Sequence, residues 1–117
     1  MGNNTSIYAS HSAGDIISTY TGAGSINLGG IASEMGTNTA IRHCYSTGNI
    51  TSSTPGNIGG VAGEMDNAVI EHAFSLGDIE CSSVLSVNAG GIVGTAIHPL
   101  GSISNVYTLG KVSVPGG

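Results

Sequence analysis

Glu34 and Glu64 each stand before a methionine, 30 residues apart, in what reads as one slot of a repeat. Stacked one above the other, two carboxylates are the raw material of retaining glycoside hydrolysis, which wants about 5 Å between the carboxyl groups. No ring of aromatic residues accompanies them, so two solvated glutamates on one face is the stronger reading. His43 and His72 share a second slot, with Ala9 and Asn105 as its other members. Two imidazoles can begin a divalent-metal site, but a structural zinc site wants four ligands. The neighbours Arg42 and Glu71 supply one carboxylate, so the pair reads as an exposed polar ladder and a weak metal candidate. Asp15, Asn49, Asp78 and Lys111 fill a third slot. Oxygen ligands of this kind suit calcium, yet the calcium-roll word Gly-Gly-x-Gly-x-Asp is absent. The column reads as a polar corner in which Asn49 separates two like charges.

Other chemistry lacks its motif. The chain has no His-Glu-x-x-His, no Gly-x-Ser-x-Gly elbow, and no Lys-Ser/Thr sequel to its Gly-Gly words. The expectation is a non-catalytic chain with no cofactor.

What would position these slots is the repeat itself. Ile41-Arg-His-Cys-Tyr-Ser-Thr-Gly48-Asn-Ile50 returns as Ile70-Glu-His-Ala-Phe-Ser-Leu-Gly77-Asp-Ile79 and as Ile103-Ser-Asn-Val-Tyr-Thr-Leu-Gly110-Lys-Val112. A weaker copy runs from Ile7 through Gly14 to Ile16. Between the blocks lies a second word, with Gly-Gly pairs at Gly29-Gly30, Gly59-Gly60 and Gly90-Gly91. A period near 30 residues marks stacked units, none able to bury its apolar face alone. With 20 glycines and no sustained helical periodicity, the segments read as short strands. Equivalent positions carry similar residues: Ile7, Ile41, Ile70, Ile103, and Ile16, Ile50, Ile79, Val112. Parallel in-register stacking wants that identity, whereas an antiparallel meander does not.

The fold class expected is therefore all-β, a parallel β-solenoid of about 30 residues per coil, with three full coils and a partial fourth. Its repeats are 7–40, 41–69, 70–102 and 103–114, with 1–6 as a leader or expression remnant and 115–117 as a tail. Ile41, Ile50, Val61, Ile70, Ile79 and Ile92 should be buried. The aromatic slot His11, Tyr45, Phe74, Tyr107 reads as an inward or corner stack. Gly14, Gly48, Gly77 and Gly110, like the Gly-Gly pairs, should sit where φ is positive or where no Cβ fits. Cys44 and Cys81 fall in different slots and read as free thiols.

Composition sets further bounds. Of 117 residues, 39% are hydrophobic but only 4% aromatic and 8% charged, so a thin aliphatic core carries a Ser, Thr and Asn surface. Two basic residues, Arg42 and Lys111, with a net charge of −5, give no footprint for nucleic acid. No apolar run approaches the ~18 residues of a membrane span, so no membrane insertion is expected. Met1 to Ser6 lacks the basic and apolar regions of a signal peptide. Ser18 to Thr21 and Thr51 to Thr54 are out of repeat register, which removes a Thr-ladder reading.

Gly-Gly-Val-Ala-Gly (59–63), Gly-Gly-Ile-Val-Gly (90–94) and Cys-Tyr-Ser-Thr-Gly-Asn-Ile (44–50) resemble the GLUG motif of bacterial secreted and surface proteins. Gly-Gly-Ile-Ala-Ser (29–33) departs at its last position. The resemblance runs from about Ile7 to Val114. It implies an accessory β-helical extracellular segment, as in adhesins, filamentous haemagglutinin-like exoproteins and immunoglobulin A-cleaving peptidases, and carries over no catalytic residue. The expected function is a structural spacer of a secreted or cell-surface bacterial protein. An adhesin module binding carbohydrate or a host ligand on its Ser/Thr/Asn face is the alternative, and a fragment of a carbohydrate-active enzyme the third. Tyr8 and Tyr20 are the only aromatics outside the repeat slot, too few for a sugar platform. Solenoids need capped ends, so the expected partners are further repeats or another copy of the chain.

Overall fold

The computed structural model describes residues 1–19, 24–98 and 100–115, and it is a path of short strands wound into stacked coils. Tyr20 and Thr21, and the last two residues of the tail, lie outside the described residues. The first coil holds β1 (Ser6–Tyr8), β2 (His11–Ser12), β3 (Ile16–Ser18), β4 (Ile26–Gly29) and β5 (Ala32–Met35). The second holds β6 (Ala40–Ser46), β7 (Ile50–Ser52), β8 (Gly56–Gly59) and β9 (Ala62–Met65). The third holds β10 (Val69–Ser75), β11 (Ile79–Cys81), β12 (Val87–Gly90) and β13 (Val93–Ala96). A partial fourth ends the stack with β14 (Ser102–Thr108) and β15 (Val112–Ser113). This is the parallel β-solenoid the repeat implies, and among the described residues it has no helix.

Equivalent strands pair in parallel and build four faces. The first face is β1/β2-β6-β10-β14, the second β3-β7-β11-β15, the third β4-β8-β12 and the fourth β5-β9-β13. Register follows the sequence columns. Ile7 pairs with Ile41, Ile41 with Ile70, and Ile70 with Ile103. Ile16, Ile50, Ile79 and Val112 form the matching column of the second face. A one-residue slip would turn every one of these side chains to water, so the apolar alternation fixes the register.

The core has two parts. Ile41, Cys44, Val61, Met65, Ile70 and Ala73 fill one, and Ile50, Ile58, Ile79 and Cys81 fill the other. The two thiols are free, buried, and in separate clusters. Ile41, Ile50, Val61, Ile70 and Ile79 are buried as expected, but Ile92 is only half-buried. The partial fourth coil has no third or fourth face among the described residues, so nothing stacks over Ile92.

Met1 to Ser6 packs along the stack. Met1-Gly-Asn-Asn-Thr-Ser-Ile7 copies Met35-Gly-Thr-Asn-Thr-Ala-Ile41. The Met1 carbonyl accepts the Gly36 N–H at 3.3 Å, as the Met35 carbonyl accepts Asp66 N–H and the Met65 carbonyl accepts Ile97 N–H, both at 2.9 Å. Thr5 and Thr39 each donate a hydroxyl to the carbonyl three residues back, Gly2 and Gly36. These residues take the path of the segment joining the fourth face to the first, one coil earlier.

Candidate functional site

The outer side of the first face gathers most of the candidate chemistry. Within β6 the inward residues are Ile41, Cys44 and Ser46, while Arg42, His43 and Tyr45 reach the surface. Two outward residues in succession, Arg42 and His43, break the strand alternation. The reason is backbone: Ala9, His43, His72 and Asn105 all have φ of 51–53°. His and Asn enter this left-handed region more readily than most residues, so the column bends each strand at one level. Asn4, Asn38 and Asn67 make a second such corner, with φ of 49–60°. The positive φ expected of the repeat glycines thus falls on His, Asn and Ala9.

The His43 and His72 rings stack 4.8 Å apart and 8° from parallel, and Tyr8 meets His43 edge-on at 5.2 Å. Imidazole lone pairs lie in the ring plane, so parallel rings aim them side by side rather than at one ion. No third His, Cys, Asp or Glu joins them, and no group of three such residues with metal-site geometry occurs among the described residues. Beside them runs an aromatic ladder: His11 on Tyr45 at 5.0 Å, Tyr45 on Phe74 at 4.9 Å, Phe74 on Tyr107 at 4.9 Å. The ladder faces outward, which removes the inward alternative, because the residue beside each ring, Cys44 or Ala73, fills the core side instead. Its rings cover one another's faces and show water mainly their edges. Next to it Arg42 and Glu71 form an ion pair across coils.

The third slot has a structural task. Asp15 Oδ1 accepts the Asn49 N–H at 2.8 Å, Asn49 Oδ1 accepts the Asp78 N–H at 2.8 Å, and Asp78 Oδ1 accepts the Lys111 N–H at 2.9 Å. Each side-chain oxygen serves the backbone of the coil above, and Lys111 ends the series because an ammonium accepts nothing.

Glu34 and Glu64 are register partners, with Thr95 as the third member. Glu34 is exposed, whereas Glu64 accepts Asn57 Nδ2–H at 2.9 Å. Asn57 belongs to an amide ladder, donating to Asn27 Oδ1 and accepting from Asn88 Nδ2–H and Thr95 Oγ1–H. Glu64 is therefore the side rail of a hydrogen-bonded ladder.

The glycines work by close approach. A Cβ on Gly48, Gly77 or Gly110 would strike the carbonyl of the glycine one coil earlier, in each case a member of the same column. At the arch between the third and fourth faces, a Cβ on Gly29, Gly59 or Gly90 would strike the carbonyl three residues ahead. Gly30 and Gly60 are pressed against the Ser46 and Ser75 hydroxyls and the next arch, and Gly91 against Thr108.

One contact had no signal in the repeat. His98 Nδ1 meets Asp66 Oδ1 at the margin of an apolar cleft of about 200 Å³, lined by Met65, Ala96, Gly101 and Ile103. Ala96 stands where the two earlier coils have Met35 and Met65, and the missing side chain opens the cleft.

No family model and no solved structure matches the chain. The chain is similar to a stretch of halomucin from Haloquadratum walsbyi, 27% identical over 118 residues. The likeness takes in 97% of this chain but 1% of that protein, so the chain spans about a hundredth of its relative's length.

Proposed function

We propose that this chain is a structural repeat segment, a short rigid rod that holds distance within a secreted or cell-surface protein. The observation that carries the reading is that its polar columns are spent on one another. The Asx column, the amide ladder and the Arg42–Glu71 pair all run between coils, and no buried side-chain N or O among the described residues lacks a partner. Groups satisfied along the axis stiffen a rod and leave little for a substrate. The likeness to a small fraction of a very long protein supports a segment of a larger assembly, and the GLUG-like words support an extracellular one. The Ser, Thr and Asn surface with few charges fits the same place.

The adhesin reading wants a platform. Sugars stack on ring faces, whereas the ladder on the first face offers edges along its length and a ring face only at its end, on Tyr107. Glycan-array binding and single-molecule stretching together test the reading. A spacer should show no reproducible glycan binding and should unfold only under sustained force, coil after coil. Saturable binding of one glycan class, lost on Tyr45→Ser, would replace the spacer by the adhesin.

A further inference from the structure

We propose that Asn49 is an attachment site for N-linked sugar, its side-chain nitrogen taking a glycosyl group from a diphosphate-activated donor.

Asn49-Ile50-Thr51 is an Asn-x-Thr word, the acceptor pattern for sugar on asparagine. Asn3-Asn4-Thr5 and Asn4-Thr5-Ser6 fit the same pattern, so the word alone selects nothing. The geometry does. Asn49 and Thr51 are exposed while Ile50 between them is buried, so strand alternation sets the amide and the hydroxyl on one outward side. At the other two words that arrangement is broken. Thr5 gives its hydroxyl to the Gly2 carbonyl, and Asn4 stands at a left-handed corner with φ of 60°.

The Asx column uses only half of the Asn49 amide. Oδ1 accepts the Asp78 N–H at 2.8 Å. Nδ2 has no hydrogen-bond partner among the described residues, and neither has the Thr51 hydroxyl. The column does not need that nitrogen, because Asp15 and Asp78 do the same task with carboxylates. Amides elsewhere in the stack are fully employed: Asn38, Asn57 and Asn88 each donate Nδ2–H to the adjoining coil. An N-linked sugar replaces one Nδ2 hydrogen and keeps Oδ1, so the bond between coils survives the modification.

The surroundings suit a sugar as well. Outward beside Asn49 runs the column Ile17, Thr51, Glu80, Ser113. Ile17 is 70% exposed, an apolar side chain on a polar face and one strand from Thr51. A sugar ring carried on Asn49 has that surface to cover.

The step balances. The bond from the anomeric carbon to the diphosphate oxygen breaks, and its electron pair leaves with the diphosphate. A bond from Nδ2 to the anomeric carbon forms, and one amide proton passes to a base of the transferase. The diphosphate can be carried by a lipid or by a nucleotide. The site would serve a spacer and an adhesin alike, so its failure leaves the spacer reading where it stands.

Two arms separate the donors. In one, the chain is secreted from a cell whose N-glycosylation draws on a lipid-linked donor. In the other, the folded protein is incubated with a soluble N-glycosyltransferase and its nucleotide sugar. Peptide mapping by mass spectrometry locates the sugar, and a melting curve accompanies each product. Sugar should appear on Asn49 in at least one arm, and that arm names the donor. The glycosylated protein should melt no lower than the bare one. Thr51→Val should fold like the parent and leave Asn49 bare, whereas Thr51→Ser should restore the sugar. Bare Asn49 in both arms would overturn the proposal, as would sugar confined to Asn3 or Asn4. A glycosylated protein that melts well below the bare one would show that the column needs the free nitrogen, and that too ends it.

Discussion

Ile70 and Ile103 sit one above the other in the same column, yet Ile70 is fully buried and Ile103 is 43% exposed. Ile79 and Val112 repeat the contrast on the second face, at 2% and 41%. Residue type hardly changes between the middle coils and the last one; the number of neighbouring coils does. In a stack where each unit touches only the next, burial is a property of position along the axis. The middle of this molecule is a core, and its ends are the same core with one side removed.

The harshest way to break the contrast is to wedge the middle. Gly60→Val puts a branched side chain against the Gly91 carbonyl and Ser75, and should leave no folded, soluble protein. Circular dichroism and light scattering on the purified variant decide it, and a parent-like melting curve would remove the tight-arch account. Next comes the column itself. Ile70→Ala should cost about 2–5 kcal/mol, as truncation in a packed core does, and Ile103→Ala about 1 kcal/mol because half its side chain is already wet. Urea titrations of the two variants measure the gap; equal costs would mean the last coil is as well covered as the middle. A smaller difference belongs to the Asx column. Asn49→Ala removes the acceptor for the Asp78 N–H and should cost about 1 kcal/mol. Lys111→Ala, at the end of the same column, should be neutral within about 0.5 kcal/mol in dilute solution. The gentlest probe is Glu64→Gln. Its amide oxygen can still accept from Asn57, so the melting temperature should barely move, and a large drop would give the carboxylate charge a role the ladder does not explain.

The repeat made the coil count, the two apolar columns and the parallel register legible, because like residues recur at like positions and a parallel ladder pairs them. It also made the candidate slots legible as columns, but not their tasks. Asp15, Asn49 and Asp78 were readable as oxygen ligands in a row; that each accepts the next coil's N–H depends on a tertiary distance. His43 and His72 were readable as a pair; that both stand at a left-handed corner, with parallel rings, is a backbone fact that periodicity does not carry. The aromatic slot reads as an inward or corner stack from the sequence and faces outward in the structure, since an extra outward residue at His43 shifts the alternation of everything after it in the strand.

By itself, then, the sequence determined what stacks on what. Identity between columns is a one-dimensional property, and the apolar alternation that fixes it is written residue by residue. The tertiary structure alone decided which glycines are crowded and which, like Gly14, stand open. It also decided that Met1 to Ser6 belongs to the stack and that Ile92 and Ile103 remain half uncovered. Those outcomes depend on whether another coil lies above or below, and a side chain cannot encode the presence of its neighbour.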